Sequence, residues 1–196
     1  FPNSFKSNAN LAGIVFPQNV TATASAAFQK TGMTSVTVLK DISYGSNAFD
    51  SCASLVSVTV EEGVTEIGNY MFQNTKLTDV TLPNSVTKIG ASAFNGCSLT
   101  TINFGQGVKT IENSAFQNCG ELTEIILPDA TETLGQNAFG DCPKLAKISL
   151  GKNMKTLEAY CFVGYSKGCP LLGDIICRAT TPPTLKDDYG TGPFGG

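Results

Sequence analysis

The chain carries seven cysteines and no histidine, and these two counts limit its chemistry. Without histidine the commonest general base is missing, together with every Ser-His or Cys-His nucleophile pair. Zinc is disfavoured too, because there is no C-x-x-C pair. The adjacent acids Glu61–Glu62 and Asp187–Asp188 could serve glycoside chemistry, but a strand exit and a tail are places where acids are usually solvated. We therefore expect no enzyme, no bound metal and no cofactor.

The cysteines recur in a pattern rather than in pairs. Cys161 falls where alanine stands in other repeats, and Cys177 takes a predicted core position of a strand. Buried free thiols, acting as compact hydrophobes, are the favoured interpretation. A single disulfide involving Cys169 and a metal site are the alternatives, since neighbouring coils would lie roughly 5 Å apart. Four cysteines follow a recurring phenylalanine by three residues: Cys52, Cys97, Cys119 and Cys142.

Recurring phenylalanines define the length of the repeat in which these cysteines lie. One series of phenylalanines, which we call the beat, recurs at intervals of 21 to 23 residues from Phe28 to Phe162. A fixed period in the low twenties indicates a leucine-rich-repeat solenoid. Nine of the twelve phenylalanines fit this beat: Phe5, Phe28, Phe49, Phe72, Phe94, Phe116, Phe139, Phe162 and, as a late member, Phe194.

A leucine-like anchor precedes each phenylalanine from Phe28 to Phe162 by 17 residues, or by 16 in the case of Met33 and Phe49. Apolar residues follow the anchor at offsets three and five, which gives the L-x-x-I-x-L pattern of a repeat strand. The Ala-Phe side of the repeat, as in residues 90–97, predicts a short helical turn. One coil alone cannot offset the entropy of ordering its backbone, so neighbouring coils must share their burial. The anchors are Leu11, Met33, Leu55, Leu77, Leu99, Leu122 and Leu145, with Leu172 opening an eighth unit.

The predicted fold class is α/β: a right-handed leucine-rich-repeat solenoid with a parallel β-sheet on one face. Short helical turns and irregular structure should occupy the other sides. The solenoid should span residues 1–177, with about seven full repeats, a truncated first unit and an eighth strand at 172–177. Residues 178–196 should form an irregular C-terminal segment of a stretched or cut final repeat. Both ends interrupt a repeat, so we expect a piece of a longer surface protein.

Charge and hydropathy exclude two classes of partner. The net charge is −3 and the isoelectric point is near 4.9, which argues against nucleic-acid binding. No stretch approaches the roughly 18 apolar residues of a membrane span, so we expect no membrane insertion in this segment.

The repeat resembles the BspA-like leucine-rich-repeat family of bacterial surface proteins. The resemblance rests on V-x-x-I-G, a short spacer, A-F and a nearby Cys, followed by L-x-x-I-x-L-P, and it covers roughly residues 5–177. It implies a location at the cell surface or outside the cell, and a non-catalytic role in adhesion to a host matrix or cell-surface protein. The residues that carry it are Ile89, Gly90, Ala93, Phe94, Cys97, Leu99, Leu122, Ile125, Leu127 and Pro128.

The outward positions of the strands are the candidate binding site. Alternation along a strand directs offsets two and four away from the core, where they form a polar, hydroxyl-rich face. The plain alternative is that threonine is simply a good exposed strand residue. A structural spacer that projects another domain is the competing function, and glycan binding is disfavoured by the lack of tryptophan. The candidate residues are Asp79, Thr81, Thr101, Asn103, Glu124, Ile126, Lys147 and Ser149, with exposed Ile126 as the first to test.

Overall fold

The computed structural model describes residues 4–164, 166 and 168–186. In this part of the chain, successive coils stack to form a solenoid of about six turns, and every strand pair is parallel. The leucine-rich-repeat solenoid predicted from the phenylalanine beat is therefore confirmed.

Seven strands, one per coil, form what we call the strand face. Three hydrogen-bonded ladders make up this face: β1 with β2, β4 with β6, and β8 with β10 and β12. Strands β2 and β4, and likewise β6 and β8, are neighbours without a shared ladder, and we call these two places the seams. The strands are β1 (Ser35–Val38), β2 (Ser57–Val60), β4 (Asp79–Thr81), β6 (Thr101–Asn103), β8 (Glu124–Ile126), β10 (Lys147–Leu150) and β12 (Asp174–Cys177).

A second sheet of two-residue strands runs along another side of the coil. Its six strands pair without interruption in the order β13, β11, β9, β7, β5, β3. In strands β3 to β11 of this sheet one apolar side chain per strand, such as Ile67 or Ile89, enters the core, whereas Leu185 of β13 is exposed. These strands are β3 (Glu66–Ile67), β5 (Lys88–Ile89), β7 (Thr110–Ile111), β9 (Thr133–Leu134), β11 (Thr156–Leu157) and β13 (Thr184–Leu185).

The phenylalanines of the beat form a continuous stack through the interior. Successive rings from Phe5 to Phe139 lie with centroids 5.2–5.7 Å apart and planes within 20° of parallel. The centroid distance exceeds the thickness of a ring, so the rings are offset, which is a favourable arrangement of aromatic quadrupoles. Phe49 to Phe162 are fully buried, whereas Phe5, in the first described coil, is 41% exposed. The spacing of the beat thus becomes one column of rings.

The predicted helical turn beside each phenylalanine is wrong: the described residues contain no helix. We call the turn around each phenylalanine of the column a corner. Two residues in each corner, at positions −2 and +2 from the phenylalanine, have a positive φ, as at Ser92 (54°) and Gly96 (72°). Such residues break a helix at every turn. The backbone instead alternates its donors. The N–H groups of Ser92, Phe94 and Gly96 donate to carbonyls of the next coil at 2.8–3.0 Å, and those between them donate three residues back.

This alternation explains why a helix would not serve here. An α-helix uses its own carbonyls for its N–H groups and would leave the corners of adjacent coils unconnected. The corner therefore carries a second set of cross-coil hydrogen bonds, in addition to those of the sheets. A pattern of Ala-Phe flanked by polar residues does not distinguish the two conformations.

The last coil departs from the regular pattern. An insertion after Phe162 lengthens the turn before Leu172, and its residues Ser166 and Gly168 donate backbone N–H groups to buried Asp141 at 2.9 Å. Phe194 and Asp187–Asp188, which featured in the sequence predictions, lie outside the described residues.

The ring column predicts a position-dependent cost of truncation. Phe94→Ala removes a fully buried ring with a neighbour on each side, so the free energy of unfolding should fall by about 3–5 kcal/mol. Phe5→Ala makes the same change where the ring is partly exposed and should cost clearly less. Urea unfolding followed by circular dichroism measures both. Equal losses for the two variants would contradict a column that is buried in the middle and open at the end.

Candidate functional site

The cysteines form a ladder along one inner corner of the solenoid. Each thiol donates to the carbonyl of the phenylalanine in the preceding coil, for example Cys97 Sγ to Phe72 O at 3.1 Å and Cys142 Sγ to Phe116 O at 3.3 Å. Thr31 and Thr75 fill the same place and donate their hydroxyls to the carbonyls of their own coil's phenylalanine. The ladder contains Cys52, Cys97, Cys119, Cys142 and Cys169.

Cys169 belongs to this ladder although it comes late in the sequence. Its Sγ lies 3.3 Å from Phe139 O, because the insertion delays the cysteine without displacing it from the stack. All seven cysteines are in the described part of the chain and all are free thiols. Burial raises the pKa of Cys97 to about 11 and of Cys142 to about 12. At neutral pH these groups stay protonated, so they are poor nucleophiles and poor metal ligands.

Cys177 corrects one expectation. It was predicted at a core position of its strand, but it is exposed, and so are its strand neighbours Ile175 and Ile176. The reason is that β12 pairs with β10 on one side and, among the described residues, with no strand on the other. The alternation of the strand is correct, but nothing described covers its inner side.

The acidic residues do not assemble a reaction centre in the described region. Glu61 accepts the Lys40 backbone N–H at 2.9 Å at the surface, which is a structural role. Among the described residues, no group of three His, Cys, Asp or Glu side chains is arranged so that it could hold a metal ion.

The strand face brings all eight predicted candidate residues to one side of the molecule. Six of them are exposed, while Lys147 and Ser149 are half-buried. The register pairs Asp79 with Thr101, Glu124 with Lys147, and Ile126 with Ser149. The candidates thus fall into two groups, on β4–β6 and on β8–β10, separated by the seam between β6 and β8.

A row of charges crosses the last three strands of the face. Lys147 Nζ lies 2.8 Å from Glu124 Oε1, and Asp174 is its register partner on the other side. The hydrogen bond that Lys147 donates to Glu124, with a smaller contribution from the charge of Asp174, raises the pKa of Lys147. Because Glu124 and Lys147 neutralise each other, they offer a partner less charge than the sequence suggested.

A row of aliphatic side chains runs beside the charges. Ile126 is 59% exposed and Ile176 is 45% exposed, and Ser149 lies between them in register. Sequence reasoning missed Asp174 and Ile176 as face residues. The signal was present, since they stand at offsets two and four from the anchor Leu172. Ile126 and Ile176 thus place two large apolar side chains on the solvent side of the strand face, beside neighbouring polar residues.

Comparison with known families decides the classification. The profile described as the BspA type leucine rich repeat region matches residues 1–44 and 42–168, in six copies. The chain belongs to this family. The resemblance stated from the sequence is confirmed, and no enzymatic family is indicated.

Solved structures of bacterial leucine-rich-repeat proteins are similar to this member of the family. One from Eubacterium ventriosum shares 26% identity, with a TM-score of 0.64 over 89% of this chain and 51% of its own. One from Bacteroides ovatus shares 28% identity, with a TM-score of 0.62 over 89% of this chain and 46% of its own. A leucine rich cell surface protein from Faecalibacterium prausnitzii, 20% identical over 84% of this chain and 59% of its own, has the same fold with a TM-score of 0.62.

The present chain thus spans about half the length of the first two of these proteins. Comparison with curated proteins gives no match. In the described residues there is no helix with the length and apolarity that crossing a membrane needs.

A belt of ion pairs joins two neighbouring coils of this family member. The coil that begins near Glu121 supplies only acids to the belt and the next coil only lysines, each pair separated by 23 residues. Each exposed pair stabilises the fold by about 0–1 kcal/mol. Together they favour one neighbour over every other coil, and so define register. The pairs are Glu121–Lys144, Glu124–Lys147, Asp129–Lys152 and Glu132–Lys155, at 2.6–2.9 Å.

The buried thiols predict a loss of stability at alkaline pH. Burial raises the folded-state pKa of Cys142 to about 12, above that of an unfolded cysteine. The stabilising effect is complete below pH about 9 and declines as the pH rises toward 12, because only the unfolded chain forms the thiolate. The decline per buried thiol should be about 1.4 kcal/mol per pH unit.

Urea unfolding between pH 7.5 and 10.5, under reducing conditions, tests this. Cys142→Ala should show a shallower decline than the unsubstituted protein by about that amount, while Cys177→Ala, at an exposed thiol, should not. Identical pH slopes for all three proteins would contradict the assignment.

Proposed function

We propose that this chain is a non-catalytic binding module whose strand face recognises a protein of the host matrix or a protein on the surface of another cell. The observation that carries the proposal is the pair of exposed isoleucines, Ile126 and Ile176, on an otherwise polar sheet face. A solenoid presents such a face as an extended, rigid surface. Apolar groups in the middle of a polar surface are where binding energy concentrates in protein interfaces.

The family resemblance supports a location at the cell surface or outside the cell as part of the same proposal. The hydroxyl-rich strands β1, β2, β4 and β6 would then contribute complementarity around the isoleucines, since serine and threonine hydroxyls both donate and accept hydrogen bonds. The competing function, a structural spacer, requires the opposite property, namely a face that binds nothing.

Substitution of the isoleucines tests the proposal. Biolayer interferometry of the purified chain against a panel of extracellular-matrix proteins should identify at least one partner. The double variant Ile126→Ala and Ile176→Ala should weaken that binding at least tenfold, because both apolar contacts are lost.

The matched control is Leu185→Ala, which truncates an exposed apolar residue on the second sheet and should bind like the unsubstituted protein. Binding to no panel member would favour the spacer. Equal weakening by the control would show that the strand face is not the interface.

A further inference from the structure

The seam between β6 and β8 opens a cleft of about 400 Å³ at the ends of these strands. Two independent features mark the opening. The ladder is interrupted there, and the core-facing residue Ile102 is half-buried, although its equivalents Ile125 and Ile148 are fully buried. The cleft lies directly beside Ile126, so it is continuous with the strand face.

Arg178 closes one side of the cleft from two coils away. Its Nε donates to Leu150 O at 3.1 Å and its Nη2 to Leu127 O at 3.0 Å, so the guanidinium is fixed by the ends of two strands. Nη2 also lies 3.3 Å from Asp129 Oδ1. Nη1 donates to no protein group among the described residues. A guanidinium held on one edge and open on the other is preorganised to bind a carboxylate.

Two amides add donors to the same cleft. Asn103 Oδ1 accepts the Gly105 N–H at 3.2 Å, which leaves the amide nitrogen of Asn103 available to a ligand. The side chain of Gln106 also lines the cleft, and its amide is likewise without a partner in the described part of the chain.

The local charge favours an anion. Asp129 is the acid of the cleft lining, and it is shared between Arg178 at 3.3 Å and Lys152 at 2.9 Å. These two cations lower the pKa of Asp129, with the hydrogen bond from Lys152 as the largest cause. Arg178 and Asp129 balance each other within the lining, and Lys152, which pairs with Asp129 from outside the lining, adds a second positive charge beside the cleft. The rest of the lining, including Ile102, Ile126 and Pro128, is aliphatic.

We infer that this cleft binds the C-terminal residue of a partner polypeptide, when that residue is aliphatic. The carboxylate would lie against Arg178 Nη1 and the amide of Asn103, and the side chain against Ile126. A C-terminal residue carries its carboxylate and its side chain on the same carbon, and the cleft has both a cationic residue, Arg178, and aliphatic residues in its lining. This inference rests on the proposed function, because it specifies what the strand face recognises.

The test uses two probes that differ only in the carboxylate. Acetyl-Gly-Val-Leu with a free carboxylate and its C-terminal amide are titrated into the ¹⁵N-labelled chain, and chemical shifts are followed by NMR. The acid should shift the amides of residues 103–106 and 126–129 and the Nε–H of Arg178. The amide probe should bind at least tenfold more weakly than the acid probe. The acid probe should also bind the Arg178→Gln variant at least tenfold more weakly than the unsubstituted protein.

Asn103→Asp provides a variant at an exposed position that carries little risk to folding. It introduces a negative charge beside the expected carboxylate, so it should weaken binding of the acid probe at least tenfold and leave binding of the amide probe unchanged. Lys186→Gln, which removes a cation paired with Glu158 near the second sheet, is the control and should bind the acid normally. Equal affinity for the two probes, or shifts outside the cleft alone, would overturn the inference.

The same variants separate this inference from the proposed function. A matrix partner that is lost in the double isoleucine variant but bound normally by Arg178→Gln and Asn103→Asp would leave the strand-face proposal intact and overturn the carboxylate site. Conversely, selective binding of the acid probe without any matrix partner would support the carboxylate site and count against the proposed function.

Discussion

The fold depends on contacts between successive coils rather than within them. The centroids of successive phenylalanine rings lie 5.2–5.7 Å apart, and alternate corner N–H groups donate to the next coil. Both interactions exist only when a neighbour is present, which is why short coils without helices are stable as a stack. The thiol ladder follows from the same geometry, since each cysteine reaches the phenylalanine carbonyl of the preceding coil.

Because the interior contacts hold the stack together, the outward positions of the strands can carry different side chains. Ser, Thr, Asp and Ile all occur there, and the backbone is the same beneath each of them. Where charges do occur, as in the belt from Glu121–Lys144 to Glu132–Lys155, they pair between coils and define neighbours. The unpaired features are therefore informative: the isoleucines of β8 and β12, and the seam with the open edge of Arg178.

Much of this architecture is readable from sequence because burial repeats with a fixed period. The anchors, the ring column, the strand face and the cysteine position all follow from counting residues from one phenylalanine to the next. The prediction of helical turns was wrong because apolar spacing does not report the sign of φ. In the structure φ is positive at Ser92 and its equivalents. The prediction that Cys177 is a core residue was wrong because no described strand covers the inner side of β12 beyond β10. Arg178 could not be found, since its contact with Leu127 joins residues 51 positions apart.

Native-state hydrogen exchange of the corner amides tests the central claim most directly. Gly96 and Asn118 lie in surface turns, but their N–H groups donate to the next coil at 2.9 and 3.0 Å. If the coils are joined there, these amides should be protected as strongly as those of the neighbouring sheet strands and should exchange together with them. Exchange at the rate of an unstructured surface turn would show that the corners are not connected, and the account of the stack would fail.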